Sequence, residues 1–506
     1  MMRTIQADIA IIGASLGGVQ AARAACMHGM KVYLCEETDW IGGQLTSQAV
    51  PPDEHRWIEE QGAPQSYLDY RKAVREYYRH LPDASELLKQ QTAFCPGQSW
   101  VSRVAHDPRI ALRLLEESLQ PYLESGLLTL DRFTAAQTAR AEEDEVKQVT
   151  VRNHQTGEET LVEAQFFLDG TDCGDLLPLT GTEYVLGAES QSQTGEPDAP
   201  EKADAADTQP ITWVAALELT PEHEPMDKPA LYDEFAAMGV PYADNKLLSW
   251  YGPEAATGSK VRFAMFNGEL EDKPLGLWSY RRVQYPPFFT TPRNEVTLLN
   301  WPQNDYTESG VIDVDNREEK LERARQQTLS LAYWLWEQGY NIRLCPEMTG
   351  TPDGLAKAPY IRESRRIVAR HTIREQDVIE RLNPVPPRHE DSVGVGHYNM
   401  DLHQTITTHS FFFAPVTPFE IPLGALIPVR MKNLLPACKN IGTTHLTGGC
   451  YRLHPVEWNI GESAGTLAAF CVKHEVKPAD VLENKDLLTA YQQVLEKQGV
   501  QLHWKL

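Results

Sequence analysis

Residues 8–18 read Asp8-Ile9-Ala10-Ile11-Ile12-Gly13-Ala14-Ser15-Leu16-Gly17-Gly18. An apolar run stops at a glycine-rich turn, and a small-residue stretch, Val19-Gln20-Ala21-Ala22-Arg23-Ala24-Ala25, comes next. The pattern predicts strand, turn and helix. A second apolar run, Lys31-Val32-Tyr33-Leu34-Cys35, ends in Glu36. A dinucleotide site needs these parts in this order. Glycines let the backbone approach a pyrophosphate, the helix N-terminus favours its negative charge, and the acid accepts from a ribose hydroxyl. Ser15 stands where G-x-G-x-x-G has its second glycine, so the turn alone is weak evidence. The strand before it, the helix after it and Glu36 beyond supply the weight. The competing reading, a tight βα turn in any parallel sheet, has no use for an acid at that position.

The residues just beyond Glu36 separate flavin from nicotinamide. Trp40-Ile41-Gly42-Gly43-Gln44-Leu45-Thr46-Ser47-Gln48 puts a glycine pair just after the acid, where bare backbone can run beside a cofactor. The combination resembles the FAD domain of the glutathione-reductase type, found also in flavoproteins of the fumarate reductase and succinate dehydrogenase group.

Composition fits a large globular enzyme. The 506 residues suffice for two or three domains, and 42% hydrophobic with 23% charged residues provides a sizeable core. A net charge of -24 argues against nucleic acid or an anionic membrane as partner. The fold signal starts within ten residues of Met1, leaving no room for a signal peptide, and no run reaches membrane-spanning length. Eight cysteines without a CxxC read as reduced thiols, so a cytoplasmic location is expected.

Tyr67, Tyr70, Val74, Tyr77 and Leu81 recur at helical spacing, as core or as a flavin-flanking stripe. Residues 111–125 read as a further amphipathic helix, and Val146–Val151 with Leu161–Leu168 as a hairpin. Residues 189–209, nearly free of large apolar side chains, read as an exposed loop into an inserted domain that holds a long helix over 316–339. Leu434–Cys438 reads as a strand. Asn459–Ala469 reads as a small-residue helix whose N-terminus can face the N1/O2 edge of a reduced flavin.

Further stretches resemble the broad family of FAD-dependent oxidoreductases, related to the fumarate reductase flavoproteins. They are Leu168–Leu177, Leu298–Tyr306, Pro359–Arg366, Gly396–His403 and Asn433–Asn440. The resemblance implies an α/β fold: a Rossmann-like FAD-binding domain of glutathione-reductase type with an inserted α+β substrate domain. The expected division is an FAD domain from 1–50, 120–185 and 405–475, a helical insertion 51–119, a substrate domain 186–404 and a helical tail 476–506. It also carries FAD to Gly13, Ser15, Gly17, Gly18, Glu36, Gly42, Gly43 and Gln44, and to Gly170, Asp175 and Gly461. Gly170 stands where the family usually has alanine. Thr46-Ser47-Gln48 stands where some relatives attach FAD to a histidine, so the cofactor is expected to be non-covalent.

Taking hydride from a substrate needs a base near the carbon that loses it. Five histidines fall between 397 and 454: His397, His403, His409, His445 and His454. If His397-Tyr398-Asn399-Met400-Asp401-Leu402-His403 is extended, His397, Asn399, Asp401 and His403 share one face, and Asp401 can orient an imidazole. His397, Tyr398, Asp401 and His403 are therefore candidate catalytic residues, and the resemblance adds Arg452, since Arg452-Leu453 resembles the Arg-Leu of fumarate reductases; the alternative for the polar residues is that they satisfy buried backbone between domains. His397, Asp401 and His403 match no ligand spacing, and no metal is expected. Arg362, Arg365 and Arg366 bind an anion or form an ion-pair network.

Three functions remain open: oxidation of a small alcohol, polyol or amine, reduction of an activated double bond, and a non-catalytic redox sensor. With no second strand–glycine–helix unit, electrons leave through a diffusible acceptor or the substrate itself.

Overall fold

The computed structural model describes residues 3–505, except 255 and 274. β1 (Arg3–Ile12), α1 (Leu16–Met27) and β2 (Val32–Cys35) make the first βαβ unit, with Ile9 opposite Val32 and Ile12 opposite Cys35 in parallel register. β3 (Leu128–Asp131) extends the sheet outside β2. β4 (Thr134–Glu142), β5 (Glu145–Asn153) and β6 (Glu159–Asp169) meander antiparallel back to the centre, where β6 lies parallel to β1. The order is β3-β2-β1-β6-β5-β4. Ile9–Ile12 is buried throughout, as a run covered on both faces of a parallel sheet should be.

β5 covers only Glu159–Glu163 of β6. Leu434–Pro436 then takes over the same edge, parallel to Phe167–Asp169. The carboxyl ends of β1, β2, β6 and this late strand thus converge, the place where open α/β sheets bind ligands.

The helix His454–His474 lies along α1. A Cβ on Gly461 would sit 2.0 Å from the Gly17 carbonyl oxygen, and one on Gly465 2.2 Å from that of Ala21. Only glycine allows this contact, which docks the late segment on the first turn of the chain. The helix starts before the expected Asn459 because Pro455, lacking an N–H, is well suited to its first turn. Tyr491 and Leu495 of the terminal helix Lys485–Gln498 pack into the same core, and Tyr491 donates to Ser463 O at 2.8 Å.

A second core fills an antiparallel sheet ordered Arg282–Gln284, Val296–Leu299, Ala215–Leu219 and Ile342–Leu344, which packs with the helix Arg317–Glu337. Trp278, Trp301, Leu298 and Leu335 are buried there. One sequence expectation needs correction. Residues 189–209 are not simply an exposed loop. Glu196 is buried and accepts from Glu375 N at 2.7 Å and Thr444 Oγ1 at 2.6 Å, and Asp207 accepts from Thr407 N at 2.8 Å and Thr408 Oγ1 at 2.6 Å. Polar anchors do there what apolar ones usually do. The expected division at 404/405 falls between paired strands: Met400–Leu402 pairs with Phe412–Ala414, and Ser392–Gly396 with Phe419–Pro422.

Candidate functional site

A cleft of about 340 Å³ opens at the carboxyl ends of β1 and β6. Gly13, Ser15, Glu36, Gly170 and Asp175 line it. Gly13 sits at φ +91°, and a Cβ there would lie 2.5 Å from Thr171 N. A Cβ on Gly170 would lie 2.3 Å from Gly13 O, so this chain needs glycine where the family usually carries alanine. Ser15 caps α1, its Oγ accepting from Gly18 N at 3.2 Å. Two turns of bare backbone and a capped helix N-terminus form a cradle into which a pyrophosphate fits.

Glu36 follows β2 directly and accepts from Ala14 N at 3.2 Å and Thr38 N at 3.0 Å. Burial, with Glu37 beside it, pushes its carboxyl up to about 8 against the pull of the Thr38 hydrogen bonds. Asp169 ties the second turn by accepting from Thr171 N and Leu176 N, both at 3.0 Å, and burial raises it to about 7.

The remaining expected cofactor residues do not line the cleft. Gly17, Gly18 and Gly461 are sites of backbone-to-backbone packing: a Cβ on Gly17 would fall 1.8 Å from Ala437 O and one on Gly18 2.1 Å from Gly13 O. Gly42 and Gly43, at φ +107° and +48°, turn the chain back over Ser15. Gln44 Nε2 donates to Arg452 O at 3.0 Å and to Glu457. Glu457, missed in the sequence, also accepts from Gly17 N at 3.0 Å and so joins α1 to the late helix. Ser47, Gln48, Glu37, Asp172 and Arg317 line the cleft as well. Arg317 comes from the inserted domain, and no local pattern in the sequence connects it to the first turn.

A second chamber, of about 280 Å³, adjoins the cleft. One segment bounds both: Ala358, Pro359 and Ile361 face the cleft, and Tyr360 and Arg362 face the chamber. Aromatic walls, among them Trp100, Tyr280, Trp301 and Phe413, surround a polar set. Arg281 is bidentate on Asp53 at 3.1 Å. Arg362 donates to Asp305 at 2.9 Å. His403 Nδ1 is 2.5 Å from Asp305 Oδ2, and its Nε2 lies 3.9 Å from Asp401 Oδ2. Burial opposes ionisation of Asp305, but Arg362 and His403 outweigh it and hold the carboxyl at about 2. Tyr398 donates to Asp401 at 3.1 Å. Arg452 donates to Tyr360 Oη at 2.6 Å and Asp401 O at 3.1 Å.

The structure thus brings Tyr398, Asp401, His403 and Arg452 together, with Asp53, Arg281, Asp305 and Arg362 added. It does not bring His397. The strand ends at Gly396 and resumes at Met400, so the intervening turn breaks the expected common face. His397 points into a separate groove, 3.0 Å from Val416 O and with ring centroids 5.0 Å from Trp57. Burial lowers it to about 4. His454 is occupied on both nitrogens, by Asp53 N at 3.2 Å and Val50 O at 3.0 Å, and burial lowers it to about 3. His445 is paired with Glu363. The three arginines form an ion-pair network, Arg362 with Asp305, Arg365 with Asp175 and Asp313, and Arg366 with Glu363 and Glu189. Asp305 lies in Leu298–Tyr306, whose family resemblance was its only signal, whereas Arg362 was also marked by the cluster Arg362, Arg365 and Arg366.

Among the described residues no helix is long and apolar enough to cross a membrane. No curated protein matches the sequence. Solved structures that resemble the chain include L-proline dehydrogenase from P. horikoshii, with 14% identity over 37% of this chain and 25% of that one (TM-score 0.20). E. coli quinol fumarate reductase FrdA matches at 12% identity over 98% of this chain and 74% of that one (TM-score 0.34). OxyS anhydrotetracycline hydroxylase from Streptomyces rimosus matches at 11% identity over 97% and 66% (TM-score 0.37). The chain therefore spans a quarter of the dehydrogenase's length. The sequence model for FAD dependent oxidoreductases matches residues 8–495. With a match over nearly the whole chain, the protein belongs to the FAD-dependent oxidoreductase family, and FAD is its cofactor.

Proposed function

We propose that the protein oxidises a small polar substrate, an alcohol, polyol or amine, in the chamber beside the cleft, with FAD held non-covalently by Gly13, Ser15, Glu36, Gly170 and Asp175. Bound FAD supplies the two-electron acceptor, and a diffusible acceptor takes the electrons onward. The observation that carries the reading is His403, partly exposed in the chamber and flanked by two carboxylates. Asp305, kept ionised by Arg362, accepts from Nδ1–H. That fixes the tautomer and leaves Nε2 to take the hydroxyl or amine proton, the triad logic of an orienting acid behind a histidine base. Arg452, anchored on Tyr360 and Asp401, holds one wall, and the Asp53–Arg281 pair offers both donor and acceptor edges to substrate hydroxyls.

Anaerobic mixing with a panel of alcohols, polyols and amines tests it: at least one should bleach the flavin absorbance. If none does, while dithionite-reduced protein is reoxidised by fumarate-like acceptors, the enzyme works as a reductase of activated double bonds.

A further inference from the structure

We infer that Arg317, supplied by the inserted domain, is the cationic ligand of the FAD pyrophosphate. The inference rests on the assignment of FAD to the cleft lined by Gly13 and Glu36. That cleft is acidic: Glu37, Asp172 and Asp175 face it, beside Glu36, whose carboxyl burial keeps largely protonated. A pyrophosphate adds two more negative charges, and the cradle of backbone N–H groups offers only partial positive ones. Two cations lie nearby, but both are committed. Lys439 is buried against Asp172 and 3.6 Å from Glu457. Arg365 bridges Asp175 at 2.9 Å and Asp313 at 2.7 Å.

Arg317 differs. It lines the cleft, is exposed, and has no carboxylate paired with its guanidinium among the described residues. Its Nε–H donates to Val311 O at 3.0 Å, which fixes the plane of the group and leaves the four Nη–H donors free. The loop before it is itself fastened to the cleft: Asp313 takes the second arm of Arg365 and accepts from Tyr184 Oη at 2.9 Å, while Val311 and Ile312 are buried in the second core. An arginine held this way presents two parallel N–H groups to phosphate oxygens, the geometry in which guanidinium outperforms ammonium. The inserted domain thereby closes the cofactor site as well as building the chamber.

The test is FAD release from the purified holoenzyme, followed by the rise in free-flavin fluorescence after dilution, at low and at about 1 M salt. Loss of a charge-assisted hydrogen bond corresponds to roughly 10-fold or more faster release for Arg317→Gln at low salt. High salt should narrow the gap, because the lost interaction is screened. Arg317→Lys should fall between the two. Release unchanged in Arg317→Gln, or equally accelerated at both salt concentrations, overturns the inference. If Arg317→Gln yields no holoenzyme, the lysine variant decides: FAD retained supports a charge role, FAD lost refutes it. Glu36→Ala, run alongside, separates the two levels of argument. If it speeds release and Arg317→Gln does not, only this inference fails; if neither does, the assignment of the cleft fails.

Discussion

The cleft and the chamber are neighbours built on opposite principles. The cleft is mostly backbone: two tight turns, a capped helix end and glycines that let main chains touch. Each of its two turns is a short local stretch, Gly13–Ser15 and Gly170–Asp175, although Arg317 and Ala358–Ile361 join them from far along the chain. The chamber is mostly side chain. Asp53, Arg281, Arg362, His403 and Arg452 come from five separated segments, with Asp305 behind Arg362 and His403, and meet only through the packing of the inserted domain against the sheet. A backbone site is specified by local conformation, and so leaves a local signature. A side-chain site is specified by tertiary distance, and so leaves none beyond residue type.

The most drastic test of this contrast attacks the brace. Gly461→Leu places a branched side chain where even a Cβ meets Gly17 O at 2.0 Å. Backbone cannot yield there without separating α1 from the late helix. The expected result is no soluble FAD-loaded protein, measured as flavin absorbance per polypeptide and by thermal melting. Full flavin content would mean the two helices are not in contact.

The next largest effect separates two histidines that look equivalent in sequence. His403→Gln should slow anaerobic flavin reduction by ~10²–10⁴-fold, the usual worth of a general base, with FAD content unchanged. His397→Gln should leave the rate near wild type, because that ring sits in another groove. Equal losses in both variants would dissolve the distinction between chamber and groove. A smaller effect is expected at Gly170. Alanine would press on Gly13 O, at 2.3 Å, so Gly170→Ala should cost about 1–3 kcal/mol of overpacking strain. Weaker FAD retention in equilibrium dialysis is the readout, and unchanged retention would show that the turn relaxes freely.

These cases also mark what the sequence could disclose. The βαβ start, Glu36 and the hairpin β5–β6 were legible because each is a local pattern: an apolar run, a glycine, a period of two. The roles of the glycines were not. Gly13 and Gly170 face the cleft, but Gly17 and Gly461 face other backbones, and one-dimensional spacing does not distinguish these uses. The 397–403 segment was singled out on its family resemblance, its cluster of histidines and the common face an unbroken strand would give. The turn between Gly396 and Met400, a matter of where two short strands find partners, then sent His397 and His403 to different cavities. Asp305 could not be matched to His403 from a distance of ninety-eight residues. Arg317 was invisible for the same reason.

The finest contrast between the two regions is in how their carboxylates respond to pH. Glu36 in the cleft is pushed up to about 8, whereas Asp305, behind the chamber wall on Arg362 and His403, is held at about 2. An unfolded glutamate ionises near ~4.3. A carboxyl whose folded value is raised contributes stability that is fully present below that unfolded value. The contribution is lost as pH rises through the folded value, because only the unfolded chain gives up its proton in between. Asp305 acts in the other sense: its contribution holds above the unfolded value near ~3.9 and disappears only as pH falls toward 2. Between about pH 5 and 8, then, Asp305 is silent and Glu36 alone of the two should tilt the stability curve downward. Protein stripped of FAD should lose a few degrees of melting temperature over that range, roughly 2–4 °C per kcal/mol at most for so large a chain. Glu36→Gln, neutral at every pH, should flatten the slope, and Asp169, raised to about 7, should account for part of what remains. A slope that Glu36→Gln leaves untouched would mean that water reaches the carboxylate and that the cleft is wetter than the hydrogen bonds from Ala14 and Thr38 imply.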